Sequence, residues 1–245
     1  MEITELRLYT VAPNQSSESE QYWADSRKLA TPMSNFSEFN RRRATWTGSG
    51  HETFAIELET KDGTQGFAVI AGGGLHACNI IDKDYRQFII GSSVLNSNLI
   101  WEKIYRSQLA YGQRGLPVIA LSGVDLALWD LRGKLLDQPV YNLLGGQMSA
   151  EIPCYVTTHP DVMEEFADRG FFGIKLSVPW GPADGHRNAL NKIEAMVAEA
   201  RDLFDAETEI MLDCYMGWSP EFTIRAADRL SQYDIKWIRS EERRV

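Results

Sequence analysis

From Glu151 onward the chain alternates between two rhythms. Short β-prone runs (IPCYVTT, FFGIKLSV, EIMLDCYM and DIKWI) are separated by helix-forming ones: DVMEEFADRG, ALNKIEAMVAEARDLF and PEFTIRAADRLSQY. Strand and helix periods in strict succession leave few folds open. Parallel strands need crossovers, and those crossovers are right-handed. The segment therefore predicts a parallel sheet with helices packed against it. The longest of these helices carries Leu190, Ile193, Val197, Ala200 and Phe204 on one stripe, and Gly170 is placed to stop the short helix before it.

The first part of the chain reads differently. ITELRLYTV alternates as a strand, and TFAIELETKDGTQGFAVIAG reads as a hairpin turning at Asp62-Gly63. Between them lies a polar, turn-rich stretch, SSESEQYWADSRKLATPMSNFSEFNRRR, too long for an ordinary connection and so either mobile or functional. DYRQFIIG and NLIWEKIYRSQL are amphipathic helix candidates. A strongly apolar helix is expected from Pro117 to Leu136, with Leu121, Val124, Leu128, Leu131 and Leu135 on one face. Its other flanks are apolar too, which predicts burial on several sides.

Composition excludes several classes of partner. A formal net charge of −9 and an isoelectric point near 5.0 argue against nucleic acid and anionic membranes. The densest basic cluster, Arg41 to Arg43, is short enough to be a solvated surface. No apolar run approaches the roughly 20 residues of a membrane span, and MEITELRLYT is unlike a signal peptide. The three cysteines, Cys78, Cys154 and Cys214, are far apart and fit neither a disulfide framework nor a metal motif. A reducing, cytoplasmic setting follows. At 44% hydrophobic content, the chain has enough apolar residues for a sizeable core.

Strand parity singles out two charged residues. In FFGIKLSV, Phe172, Ile174, Leu176 and Val178 share the face suited to helices, leaving Gly173, Lys175 and Ser177 on the other. In EIMLDCY, Ile210, Leu212 and Cys214 face the helices, leaving Met211, Asp213 and Tyr215 opposite. Lys175 and Asp213 thus sit near the C-terminal strand ends, where sites form in α/β folds. A lone buried charge is costly, so three readings stand: an internal Lys175–Asp213 ion pair, Asp213 as a metal ligand, or Lys175 as a proton-transfer base. His51, His76, His159 and His186 are scattered and read as structural or surface groups, although His159 follows the first strand of the alternation. Asp125 and Asp130 in the apolar helix are expected to bond locally or across a domain interface, and Trp180 to pack in a loop.

Taken in order, GVDLALWDLRGKLLDQPVYNLLGG, GIKLSVPWGPADG, IMLDCYMGW and DIKWI resemble the mandelate racemase/muconate lactonizing enzyme branch of the enolase superfamily. LATPMSNF resembles its acid-sugar dehydratases, which act on acids such as L-rhamnonate. The resemblance implies an α+β capping domain over 1–148 and a (β/α) TIM-type barrel domain over 149–245. It implies abstraction of the proton α to a sugar-acid carboxylate, then β-elimination of water, with Mg²⁺ as cofactor, in a homo-oligomer. Asp213 matches the first of the family's three metal carboxylates. Arg43 matches a residue that contacts the substrate carboxylate, and Lys28 stands where relatives carry a substrate-side His. Lys175 sits on the strand where some branches place a catalytic Lys.

The resemblance also implies what is missing. Relatives read Trp-Ile-Glu-Glu at the fourth strand, whereas this chain has Trp237-Ile238-Arg239-Ser240, a cation in place of the second carboxylate. Glu241 and Glu242 come too late in the strand for that role. A barrel needs eight strands, and only four are legible. The expectation is a truncated or frame-shifted product with an unpaired sheet edge, inactive as it stands and prone to self-association.

Overall fold

Alternation in ITELRLYTV and in the Asp62-Gly63 hairpin produces three antiparallel strands: β1 (Ile3–Val11), β2 (Thr53–Thr60) and β3 (Gln65–Ile70), in the order β1-β2-β3. The computed structural model describes residues 1–11, 28–39 and 52–239. Arg43, His51, Glu241 and Glu242 lie outside the described residues. The described chain falls into two units, residues 1–11 with 52–150 and residues 28–39 with 151–239.

In the first unit, Phe54, Ile56 and Leu58 of β2 are fully buried. They share a core with Ile81, Tyr85 and Ile89, and with Ile100 and Ile104 of α2 (Ser97–Ser107). A further helix, α1 (Gly74–Ile80), precedes a five-residue π-helical stretch, Ile81–Tyr85. The long helix α3 (Leu116–Leu136) buries Leu121, Val124, Leu128 and Leu131 against this core. Its opposite flank is not covered in the same way, since Leu126 remains 52% exposed. Gly66 permits the close approach of α3 to β3: a Cβ there would lie 2.3 Å from Leu131 Cβ. Asp130 Oδ2 accepts locally from Lys134 Nζ at 2.7 Å and, across to β3 within the same unit, from the Phe67 amide at 2.8 Å.

In the second unit, β4 (Tyr155–Thr158), β5 (Gly173–Ser177), β6 (Glu209–Asp213) and β7 (Ile235–Arg239) form one parallel sheet in sequence order. Helices α4 (His186–Leu203) and α5 (Pro220–Leu230) cover one face. Ile174, Leu176, Val178, Ile210, Leu212 and Cys214 are all fully buried there, as parity requires. The short helix after β4 is a 3₁₀ helix, Pro160–Phe166, with His159 as its N-cap. This sheet of four parallel strands is that of an incomplete barrel, accompanied by the antiparallel sheet expected of the capping region.

Candidate functional site

The face of the parallel sheet away from the helices is built in levels by the strand register. Thr157, Lys175, Met211 and Trp237 are register partners, and one pleat further on so are Ser177, Asp213 and Arg239. Below them Gly173 has no side chain, and a Cβ there would stand 2.8 Å from the Met211 methyl. That gap lets Met211 lie down, 1% exposed. Tyr155 of β4 and Trp237 of β7 meet edge-on at 6.4 Å between ring centres. An apolar floor of Met211, Tyr155 and Trp237 therefore supports a charged layer at the C-terminal strand ends.

Asp213 is the centre of that layer. Its side chain is 5% exposed, and Oδ2 receives Lys175 Nζ at 3.0 Å, itself only 12% exposed. The Arg239 guanidinium stands 3.6 Å from the same oxygen. The other oxygen, Oδ1, accepts from the Tyr215 amide at 3.4 Å. Tyr215 and Met216 both have positive φ, 46° and 59°, so the chain leaves β6 through a left-handed turn that few side chains favour. Parity thus brought Lys175 and Asp213 together, and of the three readings the internal ion pair is the arrangement present.

A divalent ion asks for something else. Mg²⁺ takes an octahedron of oxygens at about 2.0–2.1 Å. Among the described residues no group of three or more His, Cys, Asp or Glu side chains is placed to hold a metal ion. The carboxylate that is present faces two cations. These donors do not fit Mg²⁺.

Residues 28–39 lie beside this end of the sheet. The Ala30 amide donates to the Val178 carbonyl at 3.2 Å. Gly217 makes the approach possible, because a Cβ there would sit 2.6 Å from the Ala30 carbonyl. Lys28 is ion-paired to Asp184, whose Oδ2 also accepts from the Gly181 amide at 3.1 Å. So Lys28, a substrate-side candidate by sequence, holds this segment to the loop after β5. Thr31 donates its amide to Ser34 Oγ at 3.0 Å, opening the short 3₁₀ helix Pro32–Asn35. The spacing Thr-Pro-Met-Ser carried that signal in the sequence; the docking of Ala30 carried none. His159 Nδ1 accepts from the Asp161 amide at 3.3 Å, capping the 3₁₀ helix that follows. Trp180 packs in its loop, its carbonyl taking the Trp218 indole N–H at 2.8 Å. The three cysteines are free, and burial beside Asp213 pushes the Cys214 thiol well up. No described helix is long and apolar enough to cross a membrane.

The chain as a whole is similar to several known proteins. Residues 39–145 match the mandelate racemase/muconate lactonizing enzyme N-terminal domain, and residues 160–241 match the enolase C-terminal domain-like family. L-rhamnonate dehydratase of Saccharopolyspora erythraea is 36% identical over 242 residues, covering 97% of this chain and 60% of that protein. The crystal structure of L-rhamnonate dehydratase from Gibberella zeae matches with a TM-score of 0.85 and 32% identity, over 97% of this chain and 57% of that one. The rhamnonate dehydratase from Gibberella zeae complexed with Mg matches equally well. A racemase from Streptomyces coelicolor A3(2) with bound magnesium gives 0.66 at 28% identity, over 76% of this chain and 57% of that one. The chain spans about 60% of the length of the curated relative it matches.

Proposed function

The chain belongs to the mandelate racemase/muconate lactonizing enzyme family of the enolase superfamily, and from that premise we propose that it carries the scaffold of an acid-sugar dehydratase. The proposed substrate is a sugar acid such as L-rhamnonate. The 245-residue polypeptide by itself does not dehydrate that acid. The likeness to L-rhamnonate dehydratases over 97% of the chain supports the first half of the reading. The engagement of Asp213 by Lys175 and Arg239 carries the second.

Dehydration of a sugar acid begins at the C–H bond next to the carboxylate. That proton is weakly acidic, so its removal needs a positioned base and stabilisation of the charge that builds on the carboxylate oxygens. Lys175 is bound as a cation to Asp213, and a hydrogen-bonded ammonium has no lone pair with which to take a proton. It is suited to touching a substrate oxygen, the role the proposal gives it. In a protein of the relatives' length, Arg43 would contact the substrate carboxylate, Mg²⁺ as cofactor would stabilise developing negative charge, and the subunits would assemble as a homo-oligomer. The described donors of this chain do not fit that metal.

The test is direct. The purified polypeptide is incubated with a panel of sugar acids and Mg²⁺, and the 2-keto product is measured. No turnover above the uncatalysed rate is expected; robust dehydration of any panel member would overturn the inactivity. A second reading is self-association. β4 and β7 are the outer strands of the described sheet, and beside β7 lies a cavity of about 330 Å³ lined in part by Leu230, Ile235, Trp237 and Ile238. Unpaired edges and apolar grooves favour association. A monomer by size-exclusion chromatography at high concentration would remove this reading.

A further inference from the structure

We infer that Lys175 and Arg239 act as built-in counter-ions for Asp213, so that this chain neutralises the carboxylate with its own cations and takes up no divalent ion there. Three observations carry the inference. Asp213 is nearly inaccessible, and its Oδ2 is already engaged by the Lys175 ammonium at 3.0 Å. Its register partner on β7 is a guanidinium, 3.6 Å away, where a second acidic ligand would be needed to hold a hard cation. The residues around it add only the neutral hydroxyls of Tyr155, Thr157 and Ser177, and among the described residues no further carboxylate of the kind Mg²⁺ or Mn²⁺ prefers.

Charge settles which occupant wins. One carboxylate between two cations leaves a local charge of +1, and an approaching divalent ion meets repulsion from both. To enter it would have to displace Lys175, whose mostly buried ammonium would lose its counter-ion without gaining water. A ligand set reduced to one carboxylate then binds only weakly, because the rest of the octahedron must come from water. The cluster also explains how a buried Asp is tolerated: its desolvation is offset from within the sheet rather than by a metal.

The experiment uses the whole 245-residue chain and Mn²⁺ as a paramagnetic stand-in for Mg²⁺, read by the free-ion EPR signal. Wild type and Asp213→Asn are expected to give the same titration, with no saturable site tighter than about 1 mM, a free energy near −4 kcal/mol. Saturable binding to wild type below that value, lost in Asp213→Asn, would overturn the inference. Arg239→Glu supplies a second carboxylate at the register position and removes one repelling charge; at least tenfold tighter Mn²⁺ binding than wild type is expected. A folded Arg239→Glu chain that binds no better than wild type would also overturn it. Should that variant not fold, the comparison of wild type with Asp213→Asn decides alone. The two failures are told apart by their readouts: a chain that binds Mn²⁺ yet dehydrates nothing refutes the counter-ion assignment and its use as the cause of inactivity, whereas only turnover of a sugar acid refutes the inactivity itself.

Discussion

Replacing Asp213 with Asn keeps the shape of the side chain and removes its charge. The carboxylate is 5% exposed and Lys175 12%, so the pair is close to fully desolvated. Removing one partner of a buried pair destabilises by about 3–5 kcal/mol, because the other charge is left behind. Two features pull the value to the lower end. Lys175 has a long, flexible stem and a little access to water, and the Arg239 side chain is 49% exposed, so its contact contributes no more than about 1 kcal/mol. The expected loss is about 3 kcal/mol. For a chain of this length, 1 kcal/mol moves the melting midpoint by roughly 2–4 °C, so the midpoint should fall by about 6–12 °C. Replacing both partners with neutral groups is often nearly neutral, so Asp213→Asn with Lys175→Met should be more stable than Asp213→Asn alone. Circular dichroism melts of the four proteins close the double-mutant cycle. If Asp213→Asn melts within 1 °C of wild type, or the two substitutions simply add, the ion pair is not what stabilises this end of the sheet.

Other consequences are equally concrete. Lys28→Met should loosen residues 28–39, read as faster hydrogen exchange at the Ala30 amide with no change in the β1–β2 ladder; unchanged exchange would mean that Asp184 does not hold the segment. Gly66→Ala places a methyl on Leu131 and the Ala127 carbonyl, and should destabilise the chain by about 2 kcal/mol or more in urea unfolding. Under native conditions a thiol reagent should modify the exposed Cys154 first, with Cys78 and Cys214 protected by burial and raised thiol pKa values. Burial raises the Asp125 carboxyl pKa, against a weaker opposing hydrogen bond involving Trp129. The sign follows: the stability Asp125 contributes is present below its unfolded pKa of about 3.9 and is lost as pH rises through the raised folded value. Asp125→Asn should therefore gain on wild type as pH increases from about 4 to 7 in pH-resolved melts.

Local patterning made the second unit readable. Most strands and helices from Glu151 onward carried their period, the exceptions being β4, which begins only at Tyr155, and the helix after it, which is a 3₁₀ helix over Pro160–Phe166; the parity of FFGIKLSV and EIMLDCY placed Lys175 and Asp213 on one face. The hairpin was legible because Asp62-Gly63 encodes its turn, and Gly63 has φ of 84°. Helix α1 was not: GLHACNI is short, lacks a capping side chain, and runs into a π-helical stretch that breaks the 3.6-residue rhythm. Periodicity also could not choose between the readings of Asp213, because an ion pair, a metal site and a base all require the same face. What separated them was the distance across two strands, 3.0 Å between Lys175 Nζ and Asp213 Oδ2, which depends on the β5–β6 register. The role of Lys28 was hidden for a similar reason, since Asp184 is 156 residues away along the chain.

The most direct measurement is a crystal structure of this polypeptide grown with MnCl₂ and collected at the manganese edge. Lys175 Nζ should lie within hydrogen-bonding distance of Asp213, with no anomalous peak within about 2.5 Å of the carboxylate, a range generous for a hard divalent ion. A peak there, with the lysine turned away and the octahedron completed by side chains of this chain, would contradict the account.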